Sequence, residues 1–202
     1  MYQAIDDPYC YAGTTVLINK LGLRDANQLE AFEEEVTRER AAQPLPDGRL
    51  SVTHFRAIHR HLFQDVFGWA GRLRTVRMTR GTSTFAYPEH IEAALADLFT
   101  RLKRDAYLRG RSPEAFAAGA AGFLADLNAI HAFRDGNGRT QLTFMSLLAV
   151  RAGHPLDLER IDHDREFLWA KSTAGGAIAA AHRLSGCAEV VADPRPQLER
   201  YC

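Results

Sequence analysis

The chain has 202 residues, 46% hydrophobic and 25% charged, the make-up of a folded domain with one sizeable core. Basic and acidic residues number 25 each, so no net field draws it to nucleic acid, and a phosphate ligand needs a local positive site. No apolar run is long enough to span a bilayer, and the opening MYQAIDDPYCY lacks a basic region followed by an apolar one, so the expectation is a cytoplasmic protein with no membrane contact.

In chain order, the stretch to Gly22 is irregular, broken by Pro8 and Gly13. A helix is predicted from about Asn27 to Ala41, with Leu29, Phe32 and Val36 on one face. Pro44, Pro46, Asp47 and Gly48 form a turn, and Ser51 caps a second helix. Phe55, Ile58, Leu62 and Val66 recur on that helix until Gly68 ends it. His59 and His61 stand two apart there and diverge rather than converge on a metal. From Arg72 to Tyr87, threonines and β-branched or aromatic residues around Arg80-Gly81 predict a short hairpin. Pro88 closes it and opens a helix with Ile91, Leu95, Leu98 and Leu102. Ser112-Pro113-Glu114 starts another, with Phe116, Ala120, Phe123, Leu127 and Ile130 on one face. After the loop 131–138 a helix runs from near Asn137 to Gly153. A further helix is expected after Asp162, and a loosely held tail from Gly186. Cys10, Cys187 and Cys202 are odd in number and widely spaced, matching neither a zinc site nor a disulfide framework.

Chemistry concentrates in residues 131 to 139, HAFRDGNGR. Gly136 and Gly138 let successive N–H groups point at one spot, and a helix opening there adds the positive end of its dipole, which suits phosphate. Arg139 adds a charge-assisted fork. Asp135 is a hard oxygen ligand placed to hold Mg²⁺ between two phosphates. His131 has the ordinary pKa range of a general base near neutrality. Together these are the parts of a phosphoryl-transfer site. Singly, each has an ordinary structural use as a turn, a hydrogen-bonded histidine or an Asp-Gly bend, and residue chemistry alone leaves both readings open.

His131-Ala132-Phe133-Arg134-Asp135-Gly136-Asn137-Gly138-Arg139 resembles the signature of the Fic family: His, any residue, Phe, any residue, Asp or Glu, Gly-Asn-Gly-Arg, two of any, Arg. Gly68 to Gly71 and Phe85 to Pro88 resemble the borders of the family's flap. The resemblance implies an all-α domain over residues 1–185 with a small β-hairpin flap, followed by a tail over 186–202. It implies a protein adenylyltransferase in a toxin or effector setting, moving AMP from ATP to a Ser, Thr or Tyr hydroxyl of a target protein. In it His131 is the base, Phe133 anchors the loop, and Asp135 holds Mg²⁺. Gly136, Asn137, Gly138 and Arg139 bind the nucleotide, while Thr82, Ser83, Thr84 and Phe85 of the flap register the target by strand addition.

The sequence departs from that signature at its last arginine, which is Leu142 here. Leu142→Arg is therefore expected to tighten ATP binding if the missing clamp limits the grip. The nearest match to the family's inhibitory motif, Ser185 to Val190, fails at its last position, so control is expected from a separate small inhibitory protein or not at all. Two rival readings follow. One is transfer of another phosphate-bearing group, although the kinase-like relatives resembling Doc toxins lack the Gly-Asn-Gly-Arg present here. The other is a non-catalytic nucleotide- or peptide-binding relative.

Overall fold

A computed structural model describes residues 7–81 and 83–156, and of Ser83 its backbone alone. The helix expected after Asp162, the tail, the Ser185 to Val190 segment, Cys187 and Cys202 lie outside them, as do Thr82 and the Ser83 side chain.

Five helices carry the fold: α1 (Ala26–Ala42), α2 (Val52–Phe63), α3 (Pro88–Arg104), α4 (Pro113–Ile130) and α5 (Asn137–Ala152). Their starts follow local chemistry. Asp25, Ser51 and Ser112 each accept the backbone N–H three residues on, at Gln28, His54 and Ala115. Proline opens α3 and α4, where its missing N–H costs nothing. Gly153 in the left-handed region ends α5.

α2 is shorter than the periodicity predicts. It ends at Phe63, and the chain turns through residues that are still buried, Val66 and Phe67. α1 also differs. Its buried stripe is Leu29, Glu33, Thr37 and Ala41, while Phe32 and Val36 are only partly covered. The hairpin shrinks to two residue pairs, between β1 (Thr79–Arg80) and β2 (Ser83–Thr84). Before it, Arg74, Val76 and Met78 are buried and Thr75 and Arg77 exposed, the alternation of an extended strand. That segment bonds mainly to the end of α4 instead of to a long partner strand.

The core lies where α2 and α5 meet. Phe55, Phe99, Phe123, Phe133 and Phe144 pack on one another there in edge-to-face, tilted and stacked pairs, with ring centroids 5.2 to 5.9 Å apart. This aromatic block is the floor on which the loop between α4 and α5 rests.

Candidate active site

The loop is built by two left-handed residues. His131 ends α4 at φ 50° and ψ 64°, with its N–H on the Leu127 carbonyl at 3.2 Å. Gly136, at φ 73°, opens α5. A Cβ at Gly136 would stand 2.3 Å from Cζ of Phe63, so glycine is needed for both conformation and space. Between these corners the loop is stapled from within. Asn137 accepts the Phe133 N–H at 2.9 Å and donates to the Phe133 carbonyl at 2.7 Å, so its buried amide shapes the loop. Phe133 is fully buried and stacks on His59 with centroids 3.8 Å apart.

His59 is a member of the site that sequence patterning assigns to neither a metal nor the loop. Its Nδ1 accepts the Gly71 N–H at 2.8 Å, so Nε2 carries the proton and donates to the Asp135 carbonyl at 3.0 Å. Burial pushes the ring down to about 3 and keeps it neutral. His61 points elsewhere, to the Arg40 carbonyl, so the two histidines do diverge.

His131 is 1% exposed and lies under the flap, its imidazole stacked on Phe85 with centroids 4.0 Å apart and planes 15° from parallel. Burial, with Arg74, Arg80 and Arg134 adding repulsion, pushes it down to about 3, well below the ordinary histidine range. At neutral pH it is an unprotonated ring, in the form that accepts a proton. α5 begins at Asn137 beside it, and a helix start leaves its first amides without intrahelical acceptors. Those amides and the dipole give the loop the means to cradle an anion.

Asp135 lies half-buried at the mouth of that cradle, with Oδ1 accepting the Gly136 N–H at 2.6 Å. Among the described residues no three carboxylate, histidine or cysteine side chains cluster as a metal cage. One hard carboxylate beside a phosphate cradle is nevertheless the donor set that suits Mg²⁺, which shares few protein oxygens with substrate phosphates.

Arg139 is not the open clamp that its position suggests. Its guanidinium donates to Glu33 of α1, to Thr37 Oγ1 at 3.1 Å, and lies 4.6 Å over the Phe63 ring. Burial pushes the Glu33 carboxyl up to about 7, with Arg139 pulling it down and Asp135 adding to the rise. The signal for Glu33 was present in the chain, as a polar pair at four-residue spacing within the stripe from Leu29 to Ala41. Leu142 is 6% exposed and belongs to the apolar core.

A family model for the Fic/DOC family matches residues 49–149, half of the chain. The chain belongs to the Fic/DOC family. Among relatives of this Fic chain, the probable protein adenylyltransferase y4lH of Sinorhizobium fredii is 49% identical over 81% of the chain and 86% of its own length. The probable protein adenylyltransferase Fic of Escherichia coli is 35% identical over 85% of each. Among solved structures, the BepC effector of Bartonella tribocorum with bound AMPPNP superimposes with a TM-score of 0.79 and 26% identity, covering 91% of this chain and 97% of its own. The all-α fold read from the sequence is that of these Fic domains. No helix among the described residues is long and apolar enough to cross a membrane.

Proposed function

We propose that this Fic chain is a protein adenylyltransferase using ATP as donor, with His131 as its base. The observation that carries the reading is the neutral His131 ring at the corner of a loop whose next element opens an anion cradle, with Asp135 on the same loop. The names of the curated relatives and the AMPPNP-bound structure of a relative support the same chemistry.

In this reading His131 takes the proton of a Ser, Thr or Tyr hydroxyl on the target. The hydroxyl oxygen forms a bond to the α-phosphorus of ATP while the bond from that phosphorus to its bridging oxygen breaks, and pyrophosphate leaves with the electron pair. The amides of Asn137 and Gly138 orient the phosphates. Mg²⁺, when bound, neutralises phosphate charge, and Asp135 would hold it. Phosphate charge brought beside His131 opposes Arg74, Arg80 and Arg134, so the ring becomes a better proton acceptor once the nucleotide is in place. The flap from Thr82 to Phe85 would register the target segment. Effector relatives fit a toxin or effector setting, in which a separate small protein would restrain the enzyme. We place the enzyme in the cytoplasm, where ATP and Mg²⁺ are at hand.

Purified protein incubated with lysate and ATP labelled at either the α or the γ phosphate tests the reading. Label retained from α alone is the expected result. Label from γ would establish kinase chemistry, one form of the second reading, transfer of another phosphate-bearing group, which the absence of the family's arginine at Leu142 prompts. His131→Ala should lose on the order of a hundredfold or more in transfer with AMPPNP affinity unchanged, because a base acts in the transition state.

A further inference from the structure

Arg74 is 2% exposed and ranks among the largest fully buried side chains of the protein. Among the described residues no carboxylate forms an ion pair with it, and burial pushes its guanidinium down to about 10. A buried cation without a counter-charge is costly, and an apolar side chain would fill the space at less expense. What compensates it is a set of four backbone carbonyls. Nε donates to the His131 carbonyl at 2.7 Å, Nη1 to Val76 at 2.6 Å, and Nη2 to Ala86 at 2.6 Å and Ile130 at 3.2 Å.

These carbonyls come from three places. Ile130 and His131 lie at the end of α4, where a helix leaves acceptors unused. Val76 belongs to the outgoing leg of the flap and Ala86 to its returning leg. Two backbone bonds run alongside, from the Arg74 N–H to Ala132 at 3.0 Å and from the Ala86 N–H to Ala129 at 3.1 Å. Phe85, whose ring covers His131, immediately precedes Ala86. One planar fork therefore spans both legs of the flap and the backbone of the histidine. Lysine reaches acceptors from a single point and lacks that fixed geometry.

We propose that Arg74 is a positioning residue for transfer: it locks the flap to the backbone of His131, so that a hydroxyl registered on the flap arrives at the imidazole. The inference rests on the reading of His131 as base and of the flap as target dock, and adds a residue that neither names. None of these Arg74 hydrogen bonds goes to Asp135 or to residues 136–139, so its loss separates positioning from nucleotide binding.

The test uses the full chain as wild type, Arg74→Lys and Arg74→Met, with His131→Ala alongside. AMPPNP affinity is measured by calorimetry, transfer of α-labelled AMP to lysate proteins by rate, and backbone amide exchange by mass spectrometry. The expected result is unchanged AMPPNP affinity with transfer slowed on the order of a hundredfold, as a misplacement of about 1 Å would cause. Exchange should quicken in residues 74–87 and 129–132, at Phe85 and Ala86 above all, and stay as in the wild type within α2 and α5. Wild-type transfer by Arg74→Lys overturns the proposal. So does a joint fall of affinity and transfer with faster exchange throughout the core, or failure of both variants to fold, since Arg74 would then be a structural residue. Retained transfer by His131→Ala would instead remove the base reading, whatever Arg74 does.

Discussion

His59 and His131 both lie in the fold as neutral rings, pushed down to about 3 chiefly by burial. In the unfolded chain each takes up a proton near the ordinary histidine value of about 6.5. The unfolded chain therefore binds more protons between those two values, so their contribution to stability is complete above about 6.5 and is lost as pH falls towards 3. Glu33 works the other way: its pKa is raised to about 7, so its share is present at acid pH and lost as pH rises through that value. With two groups against one, thermal melts should show Tm falling steeply below about pH 6. His59→Gln should flatten that slope, since an amide can donate and accept without titrating; a slope equal to wild type would show that His59 is not one of the groups responsible. Leu142 is the other residue whose burial changes an expectation. A guanidinium there must leave the core or stay in it unpaired, so Leu142→Arg should lower Tm with no gain in ATP affinity. A gain confined to ATP over AMP in calorimetric titration would show instead that the side chain reaches the phosphates.

The loop between α4 and α5 is the element on which the site depends, and it tolerates little. Gly136→Ala combines a left-handed φ of 73° with a contact 2.3 Å from the Phe63 ring. Roughly 2–5 kcal/mol of destabilisation is expected from backbone strain and overpacking together. AMPPNP affinity should fall with it, because the first amides of α5 move; denaturant unfolding and calorimetry on the same sample check both. Most elements of this chain were legible because their ends carry local chemistry, as at Asp25, Ser51, Ser112 and the prolines of α3 and α4. The flap was legible in place but not in form. Its alternation of buried and exposed residues is that of a strand, yet its bonds go to the end of α4 and to Arg74, and no local pattern reveals a partner so far along the chain. α2 misled for a related reason, since Val66 and Phe67 are buried after the helix has ended. Burial periodicity reports what faces the core, not whether the backbone is still helical.

At the scale of the molecule, residues 131 to 139 were readable because base, acid, glycines and arginine fall within nine positions. Its supports were not, because they come from distant parts of the chain. Glu33 and Thr37 reach Arg139 from α1, His59 reaches Asp135 from α2, and Asp7 reaches Arg134 from the N-terminal segment. The last is a buried ion pair, 2.6 Å from Nε to Oδ2, with both side chains 8% exposed. Removing one charge of such a pair costs about 3–5 kcal/mol. Asp7→Asn should therefore lower the free energy of unfolding by that amount, read from denaturant melts, and loosen the loop, read as faster amide exchange at residues 132–136. Asp7 and Arg134 stand 127 positions apart in the chain. At roughly 5–20 residues per second of synthesis, about 6–25 s pass between the making of one partner and the other. Until then Asp7 lacks its cation, although Tyr9 of the same segment can already meet Trp69 and Thr75. Over that interval the residues of α1 to α4 are all made, while the ion pair that fastens the loop still lacks one partner.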